Sequence, residues 1–420
     1  MVYTDKTKED LAAILANEQK NYAAFKKQKL ALDMTRGKPE KAQLDIALPM
    51  LKMLGDDNFD FKTAGIDARN YGGLDGIPEM REIFAELFDV SPDEVIAGDG
   101  SSLAIMYKLV QHGKQFGFLG ATPWNKLAKV KFICPTPGYD RHFNICKHFG
   151  IEMISVPTDE NGPDMAVVEA LAADESVKGM WCVPKYSNPT GIIYSDKVVE
   201  RIASMKAAAD FRVFWDNAYI VHALYGEDKL KNIFDCCKKA GNPNRVFAFT
   251  STSKITFAGA GVAALASSKE NLAEYKSRIM FETIGPNKIN QLIHARFLKN
   301  KDCVKSIMEK HADILRPKFE LVVKMLEELA ADGLCTFTRP RGGYFVSLNV
   351  VPGCAKRVVQ FAAEAGVKLT EAGATYPLGL DDKDANIRLA PSVPPISELE
   401  TAMKVLINCV RIAVLEKLAA

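Results

Sequence analysis

Between residues 9 and 28 apolar side chains fall at Leu11, Ile14, Leu15, Tyr22 and Phe25, the spacing of one helix face, and Gly37 with Pro39 stops its continuation. The chain then alternates short runs rich in β-branched and aromatic residues with helical ones. Residues 130–134, 152–156, 177–183, 212–215, 245–249 and 262–266 read as strands. Residues 141–149, 167–173 and 196–209 read as helices between them. Strands separated by helical crossovers predict an α/β fold, a mostly parallel sheet sandwiched by helices. Beyond residue 300 the pattern changes. A long helix over 304–329 with a kink at Pro317 precedes a hairpin over 336–349, short strands and a last helix over 396–418. This predicts a smaller α+β domain. The expected division is an N-terminal arm and part of the small domain in 1–47, a large domain in 48–300, and a C-terminal small domain in 301–420.

Composition narrows the function. The 420 residues carry 54 Lys and Arg against 52 Asp and Glu, a formal charge of +2. With no basic block, no field gathers nucleic acid or an acidic membrane surface. Residues 1–6 lack the apolar run of a signal peptide, and no stretch approaches the ~18 apolar residues of a membrane span. Nine Cys without a CxxC pair read as buried thiols in a reducing compartment, and six His show no metal-type spacing. The expectation is a cytoplasmic protein without a metal site.

Five segments carry candidate chemistry, and each has a plainer reading when taken singly. Thr250-Ser251-Thr252-Ser253-Lys254 puts a lysine where a strand ends. Desolvation there lowers an amine's pKa and favours Schiff-base chemistry, although a surface lysine after a Ser/Thr turn is as common. Trp215-Asp216-Asn217-Ala218-Tyr219 places an aspartate at another strand end, facing a ligand or capping a turn. Tyr186-Ser187-Asn188-Pro189-Thr190-Gly191 turns immediately after a strand and presents the Asn188 amide. Gly98-Asp99-Gly100-Ser101-Ser102 precedes a helical run and offers an anion pocket or a simple cap. Asn386-Ile387-Arg388 offers a planar fork for a carboxylate or a structural ion pair.

As an ordered set, these segments resemble the fold-type I pyridoxal-5′-phosphate enzymes, specifically the class I aminotransferases. Asn70-Tyr71-Gly72-Gly73, Pro137-Gly138-Tyr139 and Arg341-Gly342-Gly343-Tyr344 extend the likeness over most of the chain. Thr35-Arg36-Gly37-Lys38-Pro39, the run ending at His142 and the segment from Lys254 to Gly261 place it nearest a divergent aspartate aminotransferase subgroup related to MocR-like regulators.

The resemblance implies roles. Lys254 would form the Schiff base and act as the base at Cα, Asp216 would pair with the pyridine nitrogen, and Asn188 and Tyr219 would bond the phenolic oxygen. Gly100, Ser101, Ser102, Ser251 and Ser253 would bind the phosphate, with Tyr71 reaching a partner's phosphate across a homodimer. Tyr139 would stack on the ring, and Arg388, Asn188 and the Gly37 amide would hold the substrate α-carboxylate. The arginine that most class I members place after the lysine is replaced here by Gly261, with Lys288 one candidate for the missing charge. Arg36, Arg141, Lys185 and Arg341 are candidates for a second substrate carboxylate. The implied activity is ping-pong transamination between an amino acid, aspartate or glutamate, and a 2-oxo acid. The alternatives are a lyase on the same scaffold or a non-catalytic regulator, for which the ~40 residues before the first motif are too few to hold a winged helix.

Overall fold

The computed structural model describes residues 7–55 and 59–419; the segment 1–6 discussed above lies outside the described residues. Its centre is an eight-stranded sheet. The strands run side by side in the order Val95–Ala97, Ala263–Ala266, Val246–Ser251, Arg212–Asp216, Val177–Cys182, Lys131–Thr136, Glu152–Asp159 and Gly162–Pro163. Only Ala263–Ala266 and Gly162–Pro163 run against the rest.

Every residue of the three central strands is buried. Side chains alternate between two cores. Val213, Trp215, Val246 and Ala248 face the helices Pro78–Phe88, Asp196–Ser204 and Lys288–Leu298. Phe214, Phe247 and Phe249 face the helices Ser102–Phe116, Asp140–His148 and Lys269–Ile279. A sheet covered on both faces needs apolar residues at consecutive positions, which is why these strands read as unbroken hydrophobic runs.

A second layer forms around the antiparallel strands Cys335–Phe337, Val346–Val350 and Asn386–Leu389, with the helices Lys8–Lys27, Ala355–Glu364 and Ile396–Ala419 packed around it. Leu32–Asp33 pairs in parallel with Val367–Lys368, so the start of the chain joins this layer. The helix Lys301–Ala331 serves both units. Val304, Ile307 and Met308 enter one core of the large sheet, whereas Leu315, Phe319, Val322 and Leu326 enter the core of the smaller unit.

The expected long helix is present as Lys301–Ala331, 31 residues with Pro317 inside it. The buried residues on either side of Pro317 offset the cost of about 3 kcal/mol of an interior proline. The helix expected over 196–209 ends at Ser204. The Arg245 guanidinium, from the neighbouring strand entry, donates to the carbonyls of Ile202, Ala203 and Met205 and ties off the helix end. Among the described residues no helix is long and apolar enough to cross a membrane.

Candidate active site

The parallel strands all point their carboxyl ends at one edge of the sheet, where ligands collect in open α/β folds. Gly100 lies three residues beyond Ala97 and Tyr139 three beyond Thr136, while Asn188 follows Cys182 by six. Asp216 is the last residue of its strand, and Lys254 stands three past Ser251.

Asp216 is buried at 3% exposure. Its Oδ2 accepts from His142 Nε2 at 2.9 Å, which requires the imidazole proton on Nε2. His142 stacks on Trp181, with ring centroids 4.4 Å apart and planes 9° from parallel. A locked ring therefore fixes the carboxylate. The other oxygen, Oδ1, is buried and has no partner. An unpartnered carboxylate oxygen in a dry site is costly unless a cationic donor completes it.

Around this carboxylate stand Tyr139, Tyr219 and Lys254. Burial, reinforced by Asp216, pushes the Tyr139 hydroxyl up to about 12. Burial also raises the Tyr219 hydroxyl well above its ordinary range. Lys254 Nζ lies 4.9 Å from the centroid of the Tyr219 ring. Burial lowers the Lys254 pKa, opposed in part by the Asp216 charge, so the two groups share one pocket electrostatically. An amine pushed toward its neutral form is a competent nucleophile and base.

Next to the lysine the backbone forms a cup. Ser101 caps the helix Ser102–Phe116, its Oγ accepting from Ala104 N, and Ser102 opens the first turn, whose free amides favour an anion. Ser251 Oγ accepts from Ser253 N at the start of the lysine turn. Two hydrogen bonds between Thr252 and Val262 fold the segment after the lysine back on the cup. This explains Gly261. A Cβ there would lie 2.6 Å from Ser253 Oγ and 2.8 Å from the Gly100 carbonyl oxygen, so no side chain fits, an arginine least of all. Gly261→Ala should cost about 1–3 kcal/mol of stability through overpacking. A urea midpoint equal to wild type would show that the crowding relaxes without cost.

Arg388 is 9% exposed and sits over the Phe345 ring, 4.9 Å from its centroid. Its Nη1 donates to Asn188 Oδ1 at 3.3 Å and to Asp140 Oδ1 at 2.9 Å, and its Nε is buried without a partner. Gly37 packs against the same phenyl ring: a Cβ would come within 2.5 Å of Phe345 Cζ. Arg388, Asn188 and Gly37 are thus brought together.

The remaining candidates lie at the margin of the site or away from it. Lys185 Nζ bonds the Ile220 carbonyl and lines a separate cavity of about 520 Å³ behind the Asp216 turn. Arg341 pairs with Asp228, and Arg141 lines a surface groove with Tyr107 and His148. Arg36 is exposed beside Gly37. Lys288 is turned away from the cup, its Nζ on the Gly72 carbonyl at 2.7 Å. Tyr71 is 81% exposed. Two residues carry no role in the sequence reading, His142 on Asp216 and Asp140 on Arg388. Their signal is faint: both open one helix directly after Tyr139.

The chain is similar to known proteins over its length. The aspartate amino-transferase family model matches residues 6–420. An aspartate aminotransferase of Corynebacterium glutamicum is 50% identical over 406 residues, covering 96% of this chain and 94% of the relative. A putative aminotransferase of Mycolicibacterium smegmatis is 45% identical over 424 residues, covering 100% and 99%. The crystal structure of an aspartate transaminase from Corynebacterium glutamicum superposes with a TM-score of 0.97 at 48% identity, covering all of both chains. A sequence and a fold that agree with these relatives to this extent leave one reading: the chain belongs to the aspartate aminotransferase family, transaminases whose cofactor is pyridoxal 5′-phosphate.

Proposed function

We propose that this transaminase exchanges the amino group of aspartate or glutamate with 2-oxoglutarate or oxaloacetate, in alternating half-reactions on one site. The observation that carries the cofactor site is Asp216 Oδ1, buried and unpartnered beside a carboxylate oxygen already held by His142. A protonated pyridine nitrogen is a donor that would suit Asp216 Oδ1. Bound there, pyridoxal phosphate supplies an aldehyde that captures amines and a ring that accepts an electron pair from the substrate Cα.

The chain's own groups do the rest. Lys254 would be the amine that holds the cofactor and the base that moves the proton of the substrate Cα. Asp216 would pair with the ring nitrogen, and the His142–Trp181 stack keeps Asp216 from turning. Tyr219 and Asn188 would bind the phenolic oxygen, and Tyr139 would pack on the ring. Gly100, Ser101, Ser102, Ser251 and Ser253 would hold the phosphate with hydroxyls and amides, in place of the arginine for which Gly261 leaves no room. Arg388 takes the α-carboxylate, next to Asn188 and the Gly37 amide. Arg36, exposed at the same end, is the favoured cation for a second carboxylate.

We also read the protein as a homodimer. Phe281, Tyr71, Ile284 and Met280 are 88%, 81%, 63% and 56% exposed, a patch suited to a second copy that would bring Tyr71 to the partner's phosphate. The Lys288–Gly72 bond stiffens that patch. The division into an arm and part of the small domain (1–47), a large cofactor-binding domain (48–300) and a small domain (301–420) is supported by the pairing of Leu32–Asp33 with Val367–Lys368. Nine free cysteines, eight of them buried, support a cytoplasmic location.

The substrate assignment is tested by an amino-donor screen with 2-oxoglutarate as acceptor. Aspartate should give the highest kcat/KM, with oxaloacetate and glutamate accumulating together. A preference for aromatic or branched donors would overturn it, and pyruvate plus ammonia from β-chloroalanine without glutamate formation would indicate a lyase.

A further inference from the structure

One helix start delivers three side chains to the site. Tyr139 precedes the helix Asp140–His148, His142 binds Asp216, and Asp140 places its carboxylate on Arg388 at 2.9 Å. The third contact is the one of the three that brings a charge to a substrate-binding candidate. Arg388 is already held by the Phe345 ring beneath it, by Asn188 Oδ1 at 3.3 Å and by Thr370 Oγ1 at 3.4 Å. The two partners differ in exposure: the Arg388 side chain is 9% exposed, whereas that of Asp140 is 27% exposed.

We propose that Asp140 is a built-in carboxylate that occupies the substrate clamp until an amino or oxo acid displaces it, and so sets how strongly the site binds carboxylates. This rests on the reading of Arg388 as the clamp. With Asp140 in place the guanidinium is neutralised, and a buried cation is not left unpaired. An incoming carboxylate meets a like charge at Nη1 and must drive Asp140 outward, where its exposure lets water receive it. The exchange is one carboxylate for another on the same donor, so its cost is the lost pairing of Asp140 minus that charge's rehydration. Small anions that cannot also engage the rest of the site are thereby rejected. Substrates are held less tightly than an unopposed arginine would hold them, which leaves more of the binding free energy for the transition state.

The test is a calorimetric titration of succinate, and separately acetate, into holoenzyme. Asp140→Asn and Asp140→Ala remove the competing charge. Both should bind both anions more tightly than wild type, by roughly tenfold for succinate. Their thermal unfolding should start lower than wild type and rise further when succinate is added, because the ligand restores the missing counter-charge. Unchanged or weaker binding in both variants overturns the proposal, since a carboxylate that merely positions Arg388 would give that result. Arg388→Gln separates this outcome from failure of the clamp itself: if succinate binds Arg388→Gln as well as it binds wild type, the clamp assignment falls with the proposal. If Arg388→Gln abolishes binding while the Asp140 variants bind no better, only the proposal falls.

Discussion

Replacing Lys254 by alanine should leave the fold intact and lower transamination by about 10³–10⁴-fold or more, since the group proposed for both covalent capture and proton transfer would be removed. The stability effect should be small and of opposite sign to the usual core truncation. Burial already disfavours the Lys254 cation, and only the Asp216 charge and the face of the Tyr219 ring offset that. Removing it relieves desolvation without opening a cavity in either main core. The two half-reactions, measured separately, should both collapse. A Lys254→Ala protein that still exchanges amino groups at more than a few per cent of the wild-type rate would mean that another amine does the work. Lys185 and Lys288 are further lysines whose pKa is lowered by burial.

The second large effect is expected at Asp216. Asp216→Asn keeps the shape and an acceptor for His142 Nε2 but loses the charge proposed to hold a proton on the ring nitrogen. Turnover should fall on the order of 10²–10³-fold, the range for removing a pre-organised electrostatic contact, while stability stays near wild type. Asp216→Ala goes further. It strands the buried His142 Nε2 without an acceptor, which costs about 1–3 kcal/mol. Cofactor retention should weaken in both, more in the alanine variant. Urea unfolding paired with cofactor titration separates the two terms. An asparagine variant with wild-type kcat would remove the carboxylate from the chemistry.

Much of this molecule was legible in the chain. Short apolar runs such as Val213-Phe214-Trp215, alternating with helical segments, gave the parallel core, and their burial on both faces explains the unbroken runs. Lys254, Asp216 and Asn188 were legible because chemistry-bearing residues at strand ends converge once the strands are parallel. Contacts between distant segments were not. His142 meets Asp216 across 74 residues and Asp140 meets Arg388 across 248, and nothing local to either pair signals the meeting. Gly261 read as a missing arginine; the structure turns it into a steric requirement set by Ser253 and Gly100. The early end of the helix at Ser204 has the same origin, because the guanidinium that ends it comes from Arg245, 40 or more residues later. At Pro317 the helical pattern on both sides carried the reading through the proline, as the packing does in the structure.

The central claim is that one amine, poised by burial beside one half-satisfied carboxylate, carries the cofactor. Borohydride reduction of the holoenzyme followed by peptide mass mapping tests it directly. The account predicts a pyridoxyl adduct on Lys254 alone, absent after prior incubation with excess aspartate. An adduct on Lys185, Lys288 or any other lysine, with Lys254 unmodified, would contradict it.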